Sequence, residues 1–198
     1  MRIEFSLVGL VAGFALAGTI AYGASDAAQC KAEGDPADLE DAAIAALYEC
    51  IEGAMAEGYS RQDDEVGSVY RDWAITSTLP ALAASHGNRY VQTFANDIAA
   101  EQYLQFATEG FVMPEGSVLA KESFRVADNG VAKVGPLFTM TKLAEGGAPD
   151  ANDWLYGVLL PNGKTMGIQQ AFCSACHTLY SDQDDLAYPL EEVRIGAN

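Results

Sequence analysis

The chain has 198 residues, with 28 acidic against 11 basic side chains, a formal net charge of -17, 49% hydrophobic and 10% aromatic content. That length and apolar fraction suit one globular domain with a full core, plus a leader that need not belong to it. The negative charge repels nucleic acid phosphates and anionic lipid surfaces, which excludes polyanion binding and leaves a soluble acidic surface or steering toward a basic redox partner.

Residues 5–24 form an apolar run without a charge. As a signal peptide it has a weak basic start, Arg2 being offset by Glu4, and small residues at Ala21-Tyr22-Gly23 for cleavage. As a membrane anchor it is a hydrophobic helix long enough to span a bilayer, and Gly9 with Gly13 gives a spacing at which helices pack closely. Both readings stand, and both export the remainder, so residues 1–24 are a leader or an anchor. Residues 25–36 are polar and small and read as a linker, which places the domain at 37–198.

Asp35-Pro36 can open a helix, and the run 39–56 carries Ile44, Leu47, Ile51 and Met55 at helical spacing. Gly58 and the acidic Asp63-Asp64-Glu65 break that pattern. Tyr70-Arg71-Asp72-Trp73 starts a second ordered segment. His86, the one histidine besides His177, sits in Ser85-His86-Gly87-Asn88. It is the obvious candidate for a second metal ligand, but the segment reads as a turn and a turn histidine is expected to be solvated.

Residues 89–96 alternate β-branched and aromatic types and predict a strand, followed by a helix over 97–107 capped at Asn96 or Asp97. The turn Pro114-Glu115-Gly116 leads into a strand over 117–124. Asp128-Asn129-Gly130 is a hairpin signal leading into a strand over 131–143. A small-residue loop at 144–153 precedes a strand over 154–160, which Pro161-Asn162-Gly163 closes. The fold class is therefore α+β: an antiparallel sheet of about four strands with flanking helices, a C-terminal helix and the apolar N-terminal helix ahead of it.

That C-terminal helix carries Cys173-Ser174-Ala175-Cys176-His177, the C-x-x-C-H pattern by which a c-type haem is attached. One helical turn puts both thiols within reach of the two vinyl groups on one haem edge, with His177 directed at the iron. A zinc site would need four ligands, and Cys30, Cys50 and His86 lack ribbon or finger spacing. A thioredoxin-like dithiol is the other competitor, though it wants the motif early, after a strand. Haem attachment of this kind requires export in bacteria, so leader and motif support each other and place the domain in the periplasm, free or tethered to the inner membrane. Outside the cytoplasm two spare thiols usually join, which predicts a Cys30 to Cys50 disulfide. Met55, Met113, Met140 and Met166 all precede the motif, so the iron is expected to be five-coordinate and open to a small molecule.

Tyr70-Arg71-Asp72-Trp73, the 89–96 strand with its helix, Pro114-Glu115-Gly116-Ser117-Val118-Leu119-Ala120-Lys121-Glu122, Trp154-Leu155-Tyr156 and the late haem motif with Asp184 following resemble, in that order, the cytochrome P-460 family. The resemblance implies a mostly antiparallel β fold, commonly a homodimer, a single c-type haem with His177 proximal, and chemistry on hydroxylamine or nitric oxide. In the family's enzymes a lysine on the strand after the turn is cross-linked to haem, and Lys121 stands there. On the residues alone, Lys121 shares a strand face with Leu119 and Ser123, so both burial against a cofactor and a surface position beside Glu122 stay open. Members that oxidise hydroxylamine carry a distal carboxylate on the strand matched here by residues 137–142, where this chain has Phe138. A phenyl ring cannot accept a proton, and an apolar distal pocket resembles instead the cytochrome c prime-beta relatives that bind gases. Glu122 and Glu145 are the substitutes for that acid, each expected to be solvated. Three functions follow as expectations: a haem protein that binds or converts a small nitrogen compound by one-electron chemistry, an electron-transfer cytochrome serving a redox partner protein, or a dithiol protein without haem.

Overall fold

The computed structural model describes residues 29–196. The apolar run at 5–24 and the start of the linker lie outside the described residues. Helix α1 spans Asp41–Ser60, and the four apolar positions at helical spacing, Ile44, Leu47, Ile51 and Met55, are all buried. The stripe runs one turn further than expected because Tyr59 continues it, donating its hydroxyl to the Gly135 carbonyl at 2.7 Å.

The expected disulfide between Cys30 and Cys50 is present. The segment read as a linker is tied down from Cys30 onward, since the Ala132 amide donates to Cys30 and the Ala32 amide to Gly130. Its backbone groups find partners along a strand edge, which a polar composition does not reveal.

Seven antiparallel strands form one sheet: β1 Ala74–Ile75, β2 Ala81–Ala83, β3 Arg89–Ala95, β4 Val118–Val126, β5 Ala132–Val134, β6 Leu137–Lys142 and β7 Trp154–Leu159. The order is β1-β3-β4-β6-β7, with β2 beside β3 and β5 beside β4. The α+β class holds, with more strands than about four. Strands β1 and β2 are too short to show a period. The single strand expected over 131–143 is two strands, broken at Gly135-Pro136, where proline has no amide for the ladder.

This break sets the site. Across it the register moves from Phe124 opposite Val134 to Lys121 opposite Phe138, one extra residue on the outer strand. Because side chains alternate, the extra residue brings Phe138 onto the same face as Lys121. Gly135 is required here, as a Cβ would lie 2.4 Å from Ser123 Oγ.

One face of the sheet packs on α1, where Ile51 and Met55 meet Tyr90, Phe94, Phe124 and Leu137. Full burial of each such side chain contributes about 1.5–3 kcal/mol. Glu122 is on this face, 1% exposed, and is no solvated acid. It accepts hydrogen bonds from the Tyr48 hydroxyl at 2.6 Å, from the Tyr70 hydroxyl, and from Arg71 Nη1 at 2.7 Å. Arg71 also pairs with Glu52 at 2.7 Å. A charge buried this deeply is tolerated because its lone pairs are met from several sides.

The opposite face packs Leu119, Met140 and Tyr156 against helix α2, Asp97–Tyr103, and against Leu186. Asn96 caps α2 by accepting from the Ala99 amide at 2.9 Å. The helix ends before the expected boundary, with Phe106 in the left-handed region. Helix α3, Gln170–His177, closes this face. Among the described residues no helix is long and apolar enough to cross a membrane.

Candidate cofactor site

A row of four cross-strand neighbours, Thr93 on β3, Lys121 on β4, Phe138 on β6 and Val158 on β7, lines one wall of a cavity of about 460 Å³. Paired residues of adjacent antiparallel strands point to the same face, so the register alone places these four together. The volume falls within the range of about 300–1,000 Å³ typical of cofactor pockets.

Helix α3 forms the facing wall. Strand β7 lies at the sheet edge, and its free backbone groups are met first by a return of the chain, the Met166 amide donating to Val158 at 2.8 Å. Next the Gln170 side chain takes the place of a strand. The Tyr156 amide donates to Gln170 Oε1 at 2.8 Å, and Gln170 Nε2 donates back to the Tyr156 carbonyl at 2.9 Å. This two-way pair docks the first turn of α3 on the sheet and covers the edge. One turn on, Cys173 and Cys176 carry unbonded thiols and both line the cavity. Burial, and then the neighbouring Cys176, push the Cys173 thiol up.

His177 ends the helix. Its Nδ1 lies 2.9 Å from the Asp185 carbonyl oxygen and is the donor when it carries the proton. That tautomer leaves Nε2 as an unprotonated lone pair, the arrangement by which a histidine is oriented toward a metal. Burial holds His177 below the usual histidine range against the opposing effect of that backbone bond, and Lys121 adds a smaller push downward.

The Asp185 carbonyl is itself fixed. Asp184 and Asp185 are consecutive left-handed residues, φ 53° and 61°, a conformation that needs support in a non-glycine residue. Lys142 Nζ donates to both carboxylate oxygens of Asp184, at 2.7 and 2.9 Å. Met113 donates its amide to the same carboxylate at 2.8 Å, and the Trp154 indole donates to the Asp184 carbonyl at 2.8 Å. Lys142 and this role were not legible from sequence. The strand alternation at 137–142 and the presence of Asp184 behind the motif were the available signals.

Of the residues singled out from sequence, the structure brings Cys173, Cys176, His177, Lys121 and Phe138 to one cavity. Lys121 is half-buried on its wall, and burial pulls its amine down to about 8. Glu122 points to the other face, and Glu145 is exposed in a loop. No aspartate or glutamate stands among the described residues that line the cavity.

His86 departs from expectation. It ends the 3-10 turn Ala84–His86, and the left-handed Gly87 and Asn88 that follow curl the β2 to β3 connection so that the imidazole enters the cavity. Its ring centre is 4.6 Å from Phe138, edge to face, and 6.5 Å from that of His177. Burial, then the charges of Lys121, His177 and Arg89, lower it to about 3. A turn residue becomes half-buried here because a tip built on two left-handed residues folds back over the sheet.

The family model of cytochrome P460 matches residues 68–188, more than half of the chain. The chain belongs to the cytochrome P460 family. A comparison with curated proteins finds no match. Membership makes this a haem-binding chain, and the cytochrome P460 cavity can be tested for fit by its own donors. Two thiols one helical turn apart, an imidazole with Nδ1 tied back and an apolar chamber beside them match what a covalently held haem requires. The Tyr156 hydroxyl lies buried on the same wall without a partner, a polar atom that an occupant with acceptor groups would satisfy.

Proposed function

We propose that this cytochrome P460 chain is an exported mono-haem cytochrome c that binds a small nitrogen compound, nitric oxide or hydroxylamine, on the distal side of its haem. Cys173 and Cys176 would hold the porphyrin by thioether bonds, and His177 would supply the ligand to its iron. The observation that carries this reading is the His177 to Asp185 bond, which turns the remaining imidazole nitrogen toward a cavity shared with both thiols.

When bound, the haem supplies one-electron redox chemistry and an iron site for small ligands. The chain's residues do the rest. Phe138 and Val158 would keep water from the side of the cavity they line, and Lys121 on the same wall is the residue that the family resemblance marks for a haem cross-link. With no carboxylate among the described residues of the wall to take protons, binding is favoured over oxidation of hydroxylamine. The Cys30–Cys50 disulfide supports folding in an oxidising compartment, the periplasm. A redox partner protein and a homodimer belong to the same proposal.

The test is the optical spectrum of protein exported with the haem-attachment machinery. Nitric oxide is expected to shift the Soret band of the ferrous form, and a Lys121 cross-link would broaden that band and move it to the red. A spectrum indifferent to nitric oxide and to hydroxylamine contradicts the ligand-binding reading and leaves an electron carrier.

A further inference from the structure

We propose that His86 is the sixth ligand of the resting haem iron, a displaceable one that incoming ligands must replace. The inference rests on the haem reading above and deepens it by stating what guards the distal position.

Two metal–nitrogen bonds of about 2 Å, each with about 1.2 Å from nitrogen to ring centre, would put two imidazoles that face each other in line across one metal about 6.4 Å apart. The His86 and His177 ring centres are 6.5 Å apart across the cavity, and their planes lie at 87°. His86 packs on Phe138 at 4.6 Å and stands farther off from His177. The separation of the two ring centres equals the width of one metal and its ligand bonds.

The placement is built in on both sides. Strand β2 pairs with β3 in the register Ala83 opposite Arg89, which anchors the tip that presents His86. The Gly87 amide closes that tip on the Ala84 carbonyl at 3.0 Å. Phe138 then braces the ring edge to face from β6. On the other side His177 is fixed through Asp185, as described above. The tip is a surface connection with few backbone bonds, so it can swing out at modest cost, whereas the proximal histidine cannot. Met166, which also lines the cavity, is the competing donor, but it is 40% exposed.

The experiment uses the exported holoprotein and two variants, His86→Ala and Met166→Leu, with covalent haem first verified on each by a pyridine haemochrome assay. Wild type and Met166→Leu are expected to give low-spin ferric absorption and EPR spectra. His86→Ala is expected to be high-spin and to return to low-spin when free imidazole is added, which a folding defect would not do. If His86 holds the iron in nine molecules of ten, its removal tightens apparent carbon monoxide affinity of the ferrous form about tenfold. A high-spin wild type, or a low-spin spectrum unchanged in His86→Ala, overturns the proposal while the haem reading stands. Absence of covalent haem from the wild type overturns both. Low-spin wild type with His86 dependence but no nitric oxide binding upholds the ligand and removes the gas-binding function.

Discussion

The imidazole of His177 and the backbone of Asp185 are joined at 2.9 Å, and that carbonyl is aimed by an ion pair one residue earlier in the chain. Lys142 and Asp184 form that pair, 6% and 7% exposed. Lys142→Met leaves the Asp184 carboxylate buried without its cation. Breaking such a pair costs about 3–5 kcal/mol. The variant is expected to lose that stability in denaturant unfolding. It should also change the His177 signature, read in the His86→Ala background as a shift in the iron–histidine stretching band of the ferrous protein. Lost stability with an unmoved band would show that the pair supports the fold but does not aim His177.

A second consequence follows from Glu122 and its tyrosines. Burial, and then the Glu122 carboxylate, push the Tyr48 and Tyr70 hydroxyls up from the ordinary 10.0. A folded-state value above the unfolded one means stability that is fully present below pH 10 and is lost as pH rises beyond it. Tyr70→Phe removes one of these groups. The stability gap between wild type and Tyr70→Phe should be constant from pH 7 to 9 and shrink above pH 10, as measured by urea midpoints. A gap that stays level to pH 11 contradicts the assignment.

The disulfide closes a loop with a sequence separation of 20. Cross-linking a loop of this size contributes about 3 kcal/mol, chiefly by restricting the unfolded chain. The double variant Cys30→Ser with Cys50→Ser is expected to unfold at correspondingly lower denaturant while its haem spectrum stays unchanged, because these residues lie on the α1 side of the sheet. Altered spectra in the folded variant would show that α1 communicates with the cavity.

Phe138 lies on the cavity wall. Placing a carboxylate there, Phe138→Glu, supplies a proton acceptor on the cavity wall beside His86 and Lys121. General-base catalysis is worth about 10²–10⁴ in rate. Hydroxylamine consumption with an artificial electron acceptor is expected to rise at least about tenfold over wild type. Equal turnover by both proteins would mean that protons leave by another route.

How much of this was legible in the chain depended on whether the signal was local. The α1 stripe, the Asn96 cap, the 89–96 strand, the disulfide partners and the helix that carries Cys173 to His177 are each written in contiguous residues or in residue type, and they appear where expected. The break at Gly135-Pro136 was hidden inside an apolar run that reads equally well as one strand. Yet this break decides which face Phe138 takes, and only the pairing with β4 exposes it. Glu122 looked like a surface acid because its partners, Tyr48, Tyr70 and Arg71, come from distant parts of the chain. The burial of His86 is hidden for the same reason. Its turn is local, but the direction of the tip is set by how β2 and β3 lie on the sheet.

The most direct test of the whole account is the intact mass of the exported chain under fully denaturing conditions, where only covalent partners survive. The account predicts one haem per chain, two thiols beyond reach of an alkylating reagent through thioether formation, and loss of that haem when Cys173 and Cys176 are both replaced by alanine. A haem-free chain whose Cys173 and Cys176 alkylate freely after export through a competent haem-attachment system would contradict it.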